Sequence, residues 1–143
     1  MSPFRLIRYD LVVLVESLSL IIFSLPRFSF FNNLKSLYLK FFFKAKIGKQ
    51  VIYYPGIWIF TGRNLTLGDN VDLAKDVLLT TDGGISIGDR SLIGYRTQIL
   101  SSNHNVPNKP DRIFNAGHSK SPIAIGKDCW IGANCIILPG VTI

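Results

Sequence analysis

The chain has 143 residues, of which 48% are hydrophobic and 17% charged, so it can form one domain with its own core and is not expected to be disordered. Residues 1–50 contain eight basic and two acidic side chains, whereas residues 51–143 contain eight basic and seven acidic ones, so the net charge of +7 is concentrated in the first third. No nucleic-acid-binding motif accompanies this charge, which excludes nucleic acid as the expected partner and leaves an anionic membrane surface or acidic polymer.

The first predicted helix lies in the apolar stretch of residues 10–26. Its longest apolar run, residues 11–25, is interrupted by Glu16 and is shorter than the ~20 apolar residues that a bilayer span needs. No small-residue cleavage site follows, so a removable signal peptide is not expected.

The second predicted helix lies in FNNLKSLYLKFFFKAK, after Pro26. A helical period places four apolar residues on one face and four polar or basic residues on the other. The apolar residues are Leu34, Leu37, Tyr38 and Phe41, and the polar ones are Asn33, Ser36, Lys40 and Lys44.

Residues 1–46 are therefore predicted to be a helical segment with a basic and aromatic character. Three interpretations stay open: a cap over the open end of the main domain, a helix pair resting on anionic lipid, and a membrane-spanning helix. A cap could also touch lipid, because cationic and bulky aromatic side chains coincide there.

From Ile47 onward the sequence repeats every six residues, with an aliphatic residue, then glycine or another small residue, and a small or aliphatic residue at the fifth position. A repeat of this kind specifies stacked units. The clearest blocks are LGDNVD (67–72), LAKDVL (73–78), IGDRSL (87–92), IGYRTQ (93–98), IGKDCW (125–130) and IGANCI (131–136).

A period of six fits short strands that end in tight turns, three to each triangular coil. We expect the leading aliphatic residue to point inward and the following glycine to adopt corner backbone angles that other residues avoid. The fifth position also points inward, where only small or slim side chains fit. The fifth-position residues are Val71, Val77, Ser91, Thr97, Cys129 and Cys135.

The two cysteines are accordingly predicted to be inert core residues. Their spacing is neither a CxxC metal pair nor a disulfide framework, so a reducing compartment is expected. Two histidines and two core-facing cysteines offer no metal-binding set, and no metal is expected.

These blocks resemble those of the hexapeptide-repeat acyltransferases, most of all the galactoside and maltose O-acetyltransferases and the capsule and O-antigen O-acetyltransferases. The stretches that carry the resemblance are IGDRSLIGYRTQILSSNHN and SPIAIGKDCWIGANCIILPGVTI. The resemblance covers residues 47–143 and implies a left-handed parallel β-helix that assembles as a homotrimer, preceded by the helical segment, with a loop excursion at residues 103–122.

The resemblance also implies a role for His104. In that family a histidine on the excursion is the general base that takes the proton from an acceptor hydroxyl as it attacks acetyl-CoA. Counting from Ile87 reaches His104 without a gap, and a neutral imidazole accepts a proton at cytoplasmic pH. A solvated loop histidine is the alternative, and His118, which matches no catalytic position of the family, is expected to be a loop residue.

Other family positions carry over unevenly. Asp82 matches a carboxylate that binds the sugar acceptor, or it is a turn residue before two glycines. Ala74 replaces an acceptor-binding asparagine, so a simple galactoside is not the expected acceptor. Ala133 matches a site whose backbone N–H holds the thioester end of the cofactor, and Trp130 matches a tryptophan beside it. Outward packing is the alternative for Trp130.

The family normally continues for further coils after LPGVTI, so we expect this chain to be truncated at the C-terminus, to bind cofactor weakly and to have an exposed coil edge.

The expected function is acetyl-CoA-dependent O-acetylation of a surface polysaccharide or its lipid-linked precursor, in the cytoplasm or peripherally on the inner face of the membrane. The alternatives are another acceptor (a free sugar, an amino sugar or serine) and a non-catalytic β-helix that serves in assembly or membrane binding.

Overall fold

The computed structural model describes residues 3–110 and 112–143, and side-chain surroundings from Leu6 onward. Met1 and Ser2, in the predicted helical segment, and Asp111, in the predicted excursion, lie outside the described residues. The same holds for the side chains of residues 3–5, including the Arg5 charge counted above.

Two helices precede the repeats. Helix α1 spans Pro3–Ser24 and α2 spans Ser29–Phe43, with Pro26 between them. Lys44 ends α2 in the left-handed conformation (φ 56°). No helix in the described part of the chain combines the length and apolarity needed to cross a membrane.

The repeats form three stacks of parallel strands, one strand of each stack in every coil. The first face contains β1 (Lys46–Ile47), β4 (Leu65–Leu67), β7 (Ile85–Ile87) and β12 (Ile123–Ile125). The second contains β2 (Ile52–Tyr53), β5 (Asp72–Leu73), β8 (Leu92–Ile93) and β13 (Trp130–Ile131). The third contains β3 (Trp58–Phe60), β6 (Leu78–Thr80), β9 (Gln98–Leu100) and β14 (Ile136–Ile137).

Equivalent residues of successive coils stack in register, and this builds the core. Each face contributes one inward ladder of large apolar side chains, nearly all of them buried. The ladders are Ile47–Leu67–Ile87–Ile125, Tyr53–Leu73–Ile93–Ile131 and Ile59–Leu79–Ile99–Ile137.

The fifth positions point inward as expected. Val71 and Val77 are fully buried. The buried Ser91 hydroxyl donates to the Gly126 carbonyl (2.8 Å), which ties one coil to the next. The two cysteines are free and pack against the core as predicted, although each is half-buried and not fully buried.

The prediction that the corner glycines adopt backbone angles that other residues avoid is wrong. Gly88 and Gly94 have ordinary backbone angles, and the left-handed residue is two positions later, at Arg90 (φ 58°) and Arg96 (φ 57°). A Cβ on Gly88 would lie 2.6 Å from the carbonyl carbon of Gly126 in the next coil. Glycine is needed there because stacked coils approach closely.

The helices cover one end of the β-helix. Ser19 of α1 hydrogen-bonds Tyr38 of α2 (2.6 Å), and Phe23 packs edge-on against Tyr53 of β2. The Lys35 ammonium of α2 is fully buried and donates to the Leu25 and Tyr53 carbonyls. The cap is thus held by polar as well as apolar contacts.

Candidate active site

A hairpin leaves the β-helix at the corner between the third and first faces. Strand β10 (Ser102–His104) pairs antiparallel with β11 (His118–Lys120), and a single 3₁₀ turn (Ile113–Asn115) lies in the loop between them. The Ser121 amide donates to the Ser101 carbonyl (3.1 Å) where the chain returns to the coil. The excursion predicted from the sequence is therefore a short β-ribbon with an irregular tip.

The hairpin places the two histidines against each other. His104 is directly opposite His118 in the ladder, and the ring centroids are 4.1 Å apart at an interplanar angle of 42°. Both side chains are exposed. Sequence reasoning treated His118 as a loop residue, which is wrong, because β11 makes it the neighbour of His104.

Asp82 lies at the same corner, one coil earlier. Its carboxylate forms an ion pair with Lys120 (3.0 Å) and accepts a hydrogen bond from Thr61 (3.4 Å). Because side chains alternate along a strand, Lys120 and His118 emerge on the same side of β11. The Asp82–Lys120 pair therefore lies on the same side of the hairpin as the two imidazoles.

Asp82 also fits its other interpretation as a turn residue. Its backbone carbonyl accepts a hydrogen bond from the Asn64 side chain (3.2 Å) of the preceding coil, and the glycine pair follows it. The turn role leaves the carboxylate at the surface, so the two roles are compatible.

Trp130 and Ala133 lie elsewhere on the β-helix. Trp130 points outward from the second face, in register with Leu92, and is 79% exposed. Ala133 is exposed at the corner between the second and third faces. Its backbone amide donates to no residue that the structure describes.

The predicted site residues thus fall into two groups within one chain. Asp82 and the hairpin that carries His104 lie at the same corner and are linked through Lys120, whereas Trp130 and Ala133 lie at a different corner. The hairpin tip exposes large apolar side chains, with Phe114 at 95% exposure and Val106 also exposed.

No cluster of three or more potential metal ligands occurs among the residues that the structure describes. The histidine pair therefore has no third ligand from His, Cys, Asp or Glu within the described chain. The groups available for chemistry are the imidazoles, the Asp82–Lys120 pair and the free Ala133 amide.

Comparison with known proteins identifies a matching family and several similar acetyltransferases. The family described as "Hexapeptide repeat of succinyl-transferase" matches residues 122–143. WcaF of Escherichia coli, named as a colanic acid biosynthesis acetyltransferase, is 37% identical over 101 residues, which are 71% of this chain and 53% of WcaF. Nodulation protein L of Rhizobium meliloti is 31% identical over 98 residues, which are 68% of this chain and 52% of that protein.

Galactoside O-acetyltransferase of Escherichia coli is 29% identical over 99 residues, which are 69% of this chain and 48% of that enzyme. The chain spans about half the length of the curated relatives that it matches. A hexapeptide-repeat containing acetyltransferase of Vibrio cholerae, crystallised with acetyl coenzyme A, matches with a TM-score of 0.74 at 23% identity, over 93% of this chain and 69% of that one. This likeness confirms the predicted left-handed parallel β-helix.

Proposed function

Because the chain belongs to the hexapeptide-repeat acyltransferase superfamily, we propose that it transfers an acetyl group from acetyl-CoA to a sugar hydroxyl of a surface polysaccharide or its precursor. The observation that carries this proposal is the hairpin that holds His104 against His118, on the side of the ribbon where Asp82 pairs with Lys120. The relatives named for colanic acid and galactoside acetylation support a sugar as acceptor.

In this proposal His104 is the general base. Its neutral imidazole takes the proton from the acceptor hydroxyl while the oxygen attacks the thioester carbonyl carbon, forming a C–O bond. The tetrahedral intermediate then collapses with cleavage of the C–S bond, and the proton passes from the imidazolium to the departing thiolate. The products are an acetyl ester and free coenzyme A.

The Ala133 amide is proposed to stabilise the developing oxyanion. It is a backbone donor in a fixed corner, so it needs no reorganisation during the reaction, and such donors are worth about 10²–10³-fold in rate. Trp130, beside it on the outer surface, offers a flat apolar surface to the pantetheine arm of acetyl-CoA. Both are exposed and so accessible to the cofactor.

Asp82 is proposed to bind the acceptor sugar. A carboxylate accepts hydrogen bonds from two hydroxyls, and its pairing with Lys120 fixes its direction. Ala74, at a corner of the same coil, is buried and offers no side-chain hydrogen bond to a sugar. The acceptor is therefore proposed to be held differently from a simple galactoside.

The complete site is proposed to form between subunits of a homotrimer. One chain places His104 and Asp82 at one corner, and a neighbour supplies Trp130 and Ala133 from another. The exposed apolar hairpin tip and the exposed Leu92 and Trp130 side chains supply the surface that such an assembly would cover. We place the reaction in the cytoplasm, at the inner face of the membrane where lipid-linked sugars are built.

The test is release of coenzyme A thiol from acetyl-CoA with candidate glycans. Wild type is expected to acetylate a glycan acceptor, and His104→Ala to lose about 10²–10⁴-fold in kcat. Free sugars, amino sugars and serine are the comparison acceptors. Equal background turnover in wild type and His104→Ala, with every acceptor and under assembled conditions, would refute the enzymatic proposal.

A further inference from the structure

Helix α2 buries polar as well as apolar side chains on one face and exposes an apolar stripe on the other. The side chains buried against the β-helix include Asn32 and Lys35. The opposite face exposes an apolar stripe at i, i+4, i+7 and i+11, with exposures up to 80%. We call it the α2 stripe, and its members are Phe30, Leu34, Leu37 and Phe41.

Helix α1 carries a second stripe of the same kind. Among the side chains of α1 from Leu6 onward, Ser19 and Phe23 are the buried ones, and one exposed side has apolar residues at the same spacing. The members of this α1 stripe are Ile7, Leu11, Leu14, Leu18 and Ile21. Two adjacent helices thus leave long apolar surfaces facing solvent, which is costly for a chain in water alone.

A basic cleft lies where α2 meets the β-helix. It is lined by Lys44 at the end of α2, Lys46 of β1 and Arg63 before β4, and its lining contains no acidic residue. None of these three cations forms an ion pair within the described part of the chain. An apolar groove between α1 and β3 opens beside the cleft and shares Phe43 and Arg63 with it.

We infer that this end of the molecule binds an anionic lipid bilayer, with the two stripes at the level of the acyl chains and the basic cleft on a lipid phosphate. The pairing of apolar stripes with a cationic cleft is the combination that an anionic membrane interface complements. The inference builds on the membrane-side location proposed above, but not on acetyl transfer itself.

The cleft is also close to the proposed acceptor site. Arg63 lies between Gly62 and Asn64, and the Asn64 side chain donates to the Asp82 carbonyl of the next coil. Adjacent strands are about 4.8 Å apart, so the cleft is roughly one coil from Asp82 and two from the hairpin. A lipid phosphate in the cleft would bring a sugar attached to that lipid to the Asp82 corner.

The experiment is co-sedimentation of the full chain with vesicles of phosphatidylcholine alone or mixed with phosphatidylglycerol. Wild type is expected to bind the anionic vesicles at least tenfold more strongly. A cation near an anionic surface contributes about 1 kcal/mol, or about fivefold, so Lys44→Gln, Lys46→Gln and Arg63→Gln together should weaken binding about a hundredfold. Circular dichroism and thermal melts verify that each variant is folded.

The matched charge control removes three exposed cations elsewhere, by Lys75→Gln, Lys109→Gln and Arg112→Gln, and is expected to lose far less binding. Leu37→Ser with Phe41→Ser should weaken binding to both kinds of vesicle. The apolar control, Ile136→Ser with Leu138→Ser in the last coil, should not.

Equal loss in the two charge triples would overturn the assignment to the cleft. Binding of soluble inorganic phosphate, without a preference for anionic vesicles, would contradict the proposal that the cleft binds a lipid phosphate. A stripe variant that changes the oligomeric state but not vesicle binding would assign the stripe to a second copy of the chain. Acetyl transfer to a soluble acceptor, measured on the same proteins, separates failure here from failure of the enzymatic proposal.

Discussion

His118 restricts the orientation of the proposed base. The two imidazoles lie at the same register of the hairpin with centroids 4.1 Å apart, so the ring of His104 packs against a neighbour instead of turning freely in solvent. Without such a contact, a histidine side chain on an exposed ribbon would also populate other rotamers. His118 is in this view a positioning residue for His104.

Replacing His118 by alanine is therefore expected to lower kcat about tenfold or more, because small displacements of a catalytic group are costly, while KM for acetyl-CoA stays within about twofold. His118→Phe keeps a flat ring at the same position and should retain most of the activity. The measurement is steady-state kinetics of both variants with the glycan acceptor.

Two outcomes contradict this prediction. Unchanged kcat in His118→Ala would remove any role for the contact. An equal loss in His118→Phe, accompanied by a changed pH–rate profile, would make His118 a proton-transfer partner and not a packing surface.

The two histidines also show what the sequence could predict at this scale. His104 can be located by counting six-residue steps from Ile87, because the period fixes where the chain leaves the coil. His118 and Lys120 owe their positions to pairing between two legs of a loop whose register no period encodes. The local sequence therefore contained no signal for the histidine pair or for the Asp82–Lys120 ion pair.

At the scale of the elements, the six-residue repeat predicted where the strands and inward-facing residues lie, but it did not always predict why a given residue type is needed there. It identified the strands, the inward ladders and the small fifth positions, because each of these recurs in every coil. The repeat did not predict why glycine is needed at these positions. A glycine at position 88 is equally compatible with a positive φ and with close approach of the next coil. Only the distance to Gly126 decides between them.

The sequence also did not predict which face of α2 is buried. A helical wheel separates Leu34, Leu37 and Phe41 from the lysines, and burial of the apolar side is the usual expectation for such a helix. The structure buries Tyr38 of the predicted apolar face and leaves the other three members exposed, and it buries Lys35, which donates to the carbonyls of Leu25 and Tyr53 at 2.8 and 3.1 Å. The buried face of α2 therefore combines these hydrogen bonds with the apolar contacts of Tyr38 and Leu39.

Lys35 makes the stability of the cap depend on pH. Burial lowers the pKa of Lys35 from 10.5 to about 8, so the folded chain releases this proton at a lower pH than the unfolded chain. Above about pH 8 the unfolded state then binds more protons, and the free energy of unfolding rises with pH until both states are deprotonated. The gain is complete at about the unfolded pKa.

We expect Lys35→Met to lower the free energy of unfolding by about 1–3 kcal/mol, because the two buried carbonyls lose their donor. The difference between wild type and variant should grow by about 1–2 kcal/mol between about pH 7.5 and 9.5. Urea denaturation at the two pH values measures it. Burial raises the pKa of Tyr53 above its usual range, but Tyr53 is present in both proteins, so its ionisation largely cancels in their difference.

A difference between wild type and Lys35→Met that stays constant or shrinks over this window would contradict the assignment. It would mean that Lys35 keeps its proton in the folded chain with ordinary affinity, and that the two carbonyls stabilise the ammonium enough to offset its burial.

At the scale of the whole molecule, the separation of the candidate site into two corners is the dominant fact. His104 and Asp82 belong to the corner between the third and first faces, and Ala133 to the corner between the second and third. The sequence named residues of both groups through a family resemblance, but it contained no information on how copies of the chain stack. A triangular coil keeps its corners apart, so the proposed site would take one half from a neighbouring chain.

A mixture of two inactive variants tests this arrangement. His104→Ala removes the base, and Ala133→Pro removes the backbone N–H at the other corner, so each variant alone should be inactive. If every site takes its base from one chain and its amide from the next, random co-assembly of equal amounts should restore about a quarter of the sites, because each half is intact with a probability of about one half. The measurement is coenzyme A release after the mixed chains are unfolded and refolded together, with separately refolded chains as control. No recovery in assemblies shown to be mixed would place the whole site within one chain, and His104 would then have to reach Ala133 by a movement of the hairpin.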